Sequence, residues 1–395
     1  MQLETKARNI FGDRPTLKMV STAILVFGIF LAVAWYRLDP DFGWHLMTGN
    51  YILAHGIPRH DIYTFTAIGH SWVDHEWGSD VILSLAYKLG GYLLAAILFS
   101  VVWTAALLAL AWKSRWWVVL LAALALTPYA GINPIAWSIL LFAICLRILN
   151  SKKQTWRYIL PILFIPWANL HAGFIAGLAL IAYFAVIEKN LKLALFFLLS
   201  IGATLINAYG INLYKEIAHT LFDPAIHQQI LEWHVFYVPT PTMPFLFLWV
   251  VGFLFFARSR WRKWINLGPL LLLAGLSASR NFPFFIVATT SELSSYVTSM
   301  IKRFPRKLGV LPKVMSGVSG LLILVVLIYA VVVEFYPLQN RMDIYPMKAV
   351  AYLKEHPCSG HLFNDYNYGG VLNLETSRSA GLYRRPYGNL DKPYE

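Results

Sequence analysis

Eleven apolar stretches, each near the length needed to cross a bilayer, occupy most of this 395-residue chain. The hydrocarbon core is about 30 Å thick and a helix rises about 1.5 Å per residue, so one crossing takes roughly 20 mostly apolar residues. Residues 17–37, 91–112, 116–130, 134–149, 157–170, 172–188, 192–208, 243–257, 265–279, 282–299 and 315–336 fit that ruler, with 116–130, 157–170 and 265–279 at its short end. The set AVILMFWYC makes up 58% of the chain and charged residues only 13%. A soluble domain has about 45–50% and about 25%, so a single large water-soluble domain is excluded. The first stretch is long enough to span and no small-x-small cleavage site follows it, which predicts an anchored helix rather than a removable signal. The expected fold class is an all-α polytopic membrane protein of about 11 transmembrane helices.

Basic residues test this reading, because cytoplasmic loops collect Lys and Arg. With the N-terminus inside, alternate segments hold 21 of the 33 Lys and Arg, accompanied by Glu4, Asp13 and Glu188 alone. The outer segments hold 16 of the 20 carboxylates and all 11 histidines, and Glu292 falls within a span. The topology is N-in and C-out. The net charge of +13 therefore describes short inner loops and gives no sign of a nucleic-acid partner. Cys145 and Cys358 supply neither a disulfide framework nor metal-ligand spacing, and Cys145 reads as a packing residue. No Walker, dinucleotide or Ser-His-Asp pattern is present.

Polar chemistry is thus concentrated on the outer side, in a first loop at 38–90, a second at 209–242 and a tail from 337. Long connections of this kind tend to be functional. Asp39 and Asp41 follow the first span directly. Carboxylates there can take a proton from a hydroxyl or ligate a hard divalent cation, or they can simply form an Asx turn begun by Asp39-Pro40. Residues 42–55 mix apolar side chains with Trp44, His45, Asn50 and His55 at helical spacing, which predicts an interfacial helix stopped by Gly56-Ile57-Pro58. Gly69-His70 reads as a hairpin turn, and Asp74, His75 and Glu76 lie between Trp72 and Trp77. That spacing matches no zinc pattern. An oxygen-rich site for Mg or Mn could draw on Asp39, Asp41, Asp74 and Glu76; the alternative is no cofactor.

Asp39-Pro-Asp41-x-x-Trp44-His45-Leu46-x-x-Gly49, Gly56-Ile57-Pro58-x-x-Asp61 and Trp72-Val73-x-His75-Glu76-Trp77 together resemble a family of bacterial membrane proteins related to the GT-C glycosyltransferases, which include the protein mannosyltransferases. Trp167-Ala-Asn169-Leu-His171-Ala-Gly173, Asn207-x-Tyr209-Gly210 and Leu362-Phe-Asn364-Asp-Tyr-Asn-Tyr-Gly369-Gly370 extend the likeness over nearly the whole chain. The resemblance implies a GT-C-like bundle over 1–336 and an extracytoplasmic α/β segment over 337–395 in a bacterial-type inner membrane. It also implies transfer of a sugar from a polyprenyl-phosphate carrier to an acceptor at the outer face. Asp41 or Asp39 would be the catalytic base, with Asp41 preferred, or a metal ligand together with Asp74 and Glu76.

A lipid-phosphate donor needs a cation near the outer interface. Arg280, between two apolar stretches, is the first candidate and Lys215 the second; a snorkelling turn residue is the other reading of Arg280. Trp44, His45, His75 and Glu76 are the expected substrate contacts in the first loop. His171 would line the cavity or satisfy a buried carbonyl. Glu232 with Trp233 would offer an acid and a stacking platform for a sugar, or Trp233 would be an interfacial anchor. In the tail, 345–354 predicts a surface helix and 361–364 a strand, with Gly369-Gly370 turning into 371–374. The polar run 377–395 departs from the family pattern and leaves open whether the outer segment is complete. The rival reading is a non-enzymatic transporter or lipid- or glycolipid-binding bundle, against which stand the single mid-span acid and the lack of an internal repeat.

Overall fold

A computed structural model describes residues 17–66, 69–234, 243–259, 267–303, 347–356, 362–364, 368–376 and 380–382. The expected span 315–336, the basic residues of 1–16 and most of 377–395 lie outside them. The described chain is mostly helical. Its helices are α1 (Leu17–Tyr36), α2 (Phe42–His55), α3 (Trp77–Ala111), α4 (Trp116–Leu126), α5 (Ile135–Leu149), α6 (Leu160–Leu170), α7 (Phe174–Ile187) and α8 (Leu191–Thr204). They continue as α9 (Asn212–Phe222), α10 (Pro224–Gln229), α11 (Met243–Ser259), α12 (Leu267–Ser277), α13 (Phe282–Arg303), α14 (Met347–Glu355) and α15 (Gly369–Thr376).

Among the described residues α1 and α3 are long and apolar enough to cross a membrane, while α4, α5, α7, α8, α11 and α12 are apolar but shorter. The expected spans at 116–130 and 265–279, already at the short end, and the one at 192–208 are helices of 11, 11 and 14 residues. At about 1.5 Å per residue these cover roughly 17–21 Å, less than the hydrocarbon thickness. The outside of the bundle is apolar: Ile24, Ile162, Leu198 and Phe255 are each more than 60% exposed. A water-soluble surface seldom carries such a belt. Inside, Phe99, Trp103, Phe142, Phe164, Trp167, Trp249 and Phe285 are fully buried, as is Cys145.

Local sequence explains the boundaries. Gly56 stops α2 at φ 85°, with its N–H on the Ile52 carbonyl, as the Gly-Ile-Pro signal predicts. The 35-residue α3 is two helices joined at a kink, because Gly90 and Gly91 leave helical geometry and Gly91 has φ 62°. The apolar stretch 91–112 is its second half. The first half, Trp77–Leu89, is a helix where the sequence suggested only loop. Asn190 caps α8 by accepting from the Lys192 and Leu193 N–H groups.

α3 is the central element, packed against α1, α2 and α5, while α4 packs on α1, α11 and α13, and α6 pairs with α7 and α8. Arg37 crosses to the end of α4 and donates to the Thr127 and Ala130 carbonyls, which have no helical N–H to accept from. Between the ends of α5 and α7, Arg157 grips both oxygens of Glu188, at 2.7 and 2.9 Å, and the Leu149 carbonyl.

In the tail β1 (Leu362–Asn364) and β2 (Ala380–Leu382) pair in parallel, Leu362 opposite Ala380, with α15 between them. The expected helix and strand at 345–354 and 361–364 are present as α14 and β1. The expected turn at Gly369-Gly370 is instead the start of α15. The physical reason is close packing on α2: a Cβ on Gly43 would lie 2.0 Å from the Gly370 carbonyl oxygen, and one on Gly370 would lie 2.7 Å from that of Pro40. These glycines let two helices touch backbone to backbone at the start of the first outer loop.

Candidate functional site

The site begins where α1 meets α2. Asp39 is used structurally: its Oδ1 accepts the Asp41 N–H at 2.9 Å and its Oδ2 accepts from Asn133 Nδ2 at 2.9 Å. This is the expected Asx turn, and it belongs to Asp39. Asp41, preceding α2, is exposed, and neither it nor Asp39 lines the cavity described below. Surrounding protein, then Asp39, Glu232 and Glu76, lift its carboxyl to about 7 against the pull of His45.

One turn into α2, His45 donates from Nδ1 to Asp80 at 2.7 Å and faces Glu76 Oε2 from Nε2 at 3.6 Å. Glu76 is the hub of the cluster, since its Oε1 also faces His75 Nε2 at 3.4 Å and His171 Nε2 at 3.2 Å. Three histidines from three separate segments thus surround one carboxylate. Burial opposes ionisation of Glu76, yet His75, His171 and His45 hold it far below the usual carboxylate range. For His45, burial works against protonation but Asp80, Glu76 and Asp41 raise it well above the ordinary histidine value, and for His75 burial is likewise outweighed, by Glu76.

His171 differs. Its Nδ1 accepts from the Gly173 N–H and the Ser138 hydroxyl, each at 2.8 Å, while Ser138 Oγ in turn accepts from Trp167 Nε1 at 2.8 Å. With Nδ1 an acceptor twice over, the proton must sit on Nε2, where it is donated to Glu76. Burial, opposed by Glu76 and aided by Arg280, depresses the imidazole to about 3 and keeps it neutral. The sequence left His171 to line a cavity or satisfy a carbonyl; it lines a cavity, and its inner nitrogen serves an N–H and a hydroxyl instead.

Asp74 is buried beneath this cluster. Its Oδ1 accepts the Glu76 N–H at 3.0 Å, while Oδ2 has no hydrogen-bond partner among the described residues, and burial reinforced by Asp80 raises the carboxyl well above its usual value. Two of the four donors considered for Mg or Mn are engaged elsewhere: Asp39 has both oxygens in hydrogen bonds and Glu76 faces three histidines. Among the described residues no group of three or more His, Cys, Asp or Glu is arranged to hold a metal.

The second half of the site forms around the turn Ser279–Asn281. Arg280 pairs with Glu232 at 3.2 Å and lies 4.5 Å over the Trp233 ring, which also stacks on His227. Trp233 is therefore an engaged ring rather than an open sugar platform. Ser279 fixes this arrangement by bonding the Glu232 carbonyl through Oγ and the His234 carbonyl through N. Between the two halves lies a cavity of about 290 Å³. Its walls are mainly aliphatic, including Ile175, Ile217 and Leu271, and its polar groups include His75, His171, Glu216, Trp233, Arg280 and Asn281.

Of the expected contacts, His75, His171, Trp233 and Arg280 line one cavity, and Glu76 and His45 stand directly behind it. Trp44 does not reach it; its ring packs on Tyr63 at 4.9 Å and lies under Gly370. Lys215 points outward, and Glu292 is on the exposed side of α13. Sequence reasoning missed Asp80, Ser138, Asn133 and Glu216. Asp80 stands four residues after Glu76 at the start of α3, the one spacing that could have flagged it. Ser138, Asn133 and Glu216 carry no comparable local signal.

The other motif segments brace the site. Trp77 Nε1 donates to Asn169, which reaches the Ile206 carbonyl. Tyr209 donates to the Pro58 carbonyl and carries Arg59 4.8 Å over its ring. Phrases separated by 92 and 151 residues thus hold the segment 58–77 against the end of α6 and the turn after α8. No family model matches the sequence, and no curated protein is significantly similar to it.

Proposed function

We propose that the protein is a multi-pass inner-membrane glycosyltransferase of GT-C type, N-terminus cytoplasmic and C-terminus outside, moving a sugar from a polyprenyl-phosphate donor to an acceptor at the outer face. One observation carries this reading: an aliphatic cavity whose lining includes Arg280, His75 and His171 is flanked by Glu76 and Glu232, the two carboxylates within electrostatic reach of Asp41, which itself lies outside the lining. An amphiphile with a phosphate headgroup has that shape and chemistry. The apolar wall takes the chain, and the Arg280 fork takes phosphate oxygens.

In this reading the bond from the sugar's anomeric carbon to the phosphate oxygen breaks while that carbon bonds the acceptor oxygen. Asp41 accepts the acceptor's hydroxyl proton, and a carboxyl raised to about 7 is a more effective base near neutral pH than an ordinary aspartate. His45 and Glu76 set the charge behind Asp41, while Asp39 holds the loop. About eleven crossings would include 315–336, with the shorter helices completed by their flanking turns.

The test is transfer from a radiolabelled polyprenyl-phosphate sugar in proteoliposomes. Asp41→Asn should abolish transfer, and Asp39→Asn should reduce it through loss of the loop anchor. Full activity in both variants and in the double variant would refute the base assignment. The same cavity also suits the rival lipid-binding bundle; tight binding of the donor without turnover, in wild type, would favour it.

A further inference from the structure

The charges around the cavity point to a preference for one ionic form of headgroup. Among the described lining residues Arg280 is the only Lys or Arg, and Glu216, half-buried on α9, is a carboxylate of the same lining. Arg280 is already paired, at 3.2 Å, with Glu232, whose side chain is 51% exposed. His171 is held neutral by its hydrogen bonds, and His75 faces Glu76. A headgroup entering here meets one guanidinium already paired with a carboxylate, with a second carboxylate in the same lining. Such a site tolerates one negative charge and repels two.

Resting on the transferase reading, we propose that Glu216 and Glu232 are specificity-determining residues that make the cavity select a phosphodiester monoanion over a phosphomonoester dianion. The two forms are the two ends of the reaction. A polyprenyl-phosphate sugar is a diester with one charge. When its glycosidic C–O bond breaks, the electron pair leaves with the phosphate oxygen, and the acceptor's proton goes to the base. The carrier is left as a monoester, which has a second ionisation near pH 6 and so is mostly a dianion above pH 7. The charge distribution that admits the substrate therefore expels the spent carrier. The backbone around Glu232 is anchored by Ser279, which bonds the Glu232 and His234 carbonyls, so the carboxylate can adjust as a side chain without moving the loop.

The experiment measures binding, by calorimetry at pH 8 on the full chain in detergent, of two synthetic probes with the same short isoprenoid tail: the phosphate monoester and its methyl diester. The ratio of Kd for monoester to Kd for diester is expected to exceed one in wild type. It should fall about 1.4- to fivefold in Glu216→Gln and in Glu232→Gln, the range expected for removing one partly exposed like charge. Arg280→Gln should weaken both probes. A ratio that is unchanged in both Gln variants, or a wild type that prefers the monoester, overturns the proposal. Because neither probe is turned over, the outcome is separate from the transferase reading. Charge selection without sugar transfer in proteoliposomes would sink that reading and leave the selectivity standing, whereas transfer with an unchanged ratio would do the reverse.

Discussion

Replacing Glu76 by Gln keeps the shape of the hub and removes its charge, which makes it the sharpest perturbation of the cluster. In wild type the carboxylate faces three imidazoles at 3.2, 3.4 and 3.6 Å. Gln would set an NH₂ against one of these N–H groups and leave His45 with Asp80 as its remaining partner. Breaking a buried ion pair costs about 3–5 kcal/mol. The contacts are longer than the roughly 2.7–2.9 Å of strong charge-assisted bonds, and His75 is about a third exposed, so the lower end, about 3 kcal/mol, applies. With an unfolding entropy near 2.1 cal/mol/K per residue, 395 residues give about 0.8 kcal/mol/K and a drop in Tm of about 4 °C.

The pH dependence fixes the cause. Glu76 is held low, so its contribution is present above the ordinary value of 4.5 and lost as pH falls toward its folded value. His45 and His75 are held high, so theirs is fully present below the ordinary 6.5 and lost as pH rises through their folded values. The difference in Tm between wild type and Glu76→Gln, followed by tryptophan fluorescence in detergent, should be widest between about pH 4.5 and 6.5 and narrow by pH 9. A gap below about 1 °C at pH 6, or one equal at pH 6 and pH 9, would refute the charged-hub account.

Three further outcomes follow from named contacts. Transfer by wild type should rise with pH through about 7 as Asp41 ionises, while Asp41→Asn should be lower by about 10²-fold or more and lack that limb; an unchanged pH profile in the variant counts against Asp41 as base. Ser138→Ala leaves the buried Trp167 N–H without its acceptor and should cost about 1–3 kcal/mol, read as a lower Tm; no shift would mean another group takes over the indole. In Gly43→Ala the new Cβ meets the Gly370 carbonyl, so hydrogen exchange at 369–376 should quicken while that of α1 is unchanged, and equal exchange in both proteins would show that α15 does not depend on this contact.

What the sequence determined by itself was everything set by local composition and period. The apolar stretches located most of the bundle's helices, the Lys and Arg distribution predicted a side for each loop, and Gly56-Ile57-Pro58 ended α2 where a stop signal should. Residues near the chemistry were also legible one by one, because charged and aromatic groups beside spans stand out against apolar sequence. Their partners were not. Glu76 meets His45 and His171 only after α2, α3 and the turn beyond α6 pack together, and Arg280 meets Glu232 and Trp233 across 47 residues or more. Tertiary packing also divided the work between Asp39 and Asp41, by bringing Asn133 to the former, and turned Gly369-Gly370 from a turn into a helix start against Gly43. Hydropathy and spacing act over one or two turns of chain, whereas these assignments depend on which distant surface arrives, and only the folded bundle fixes that.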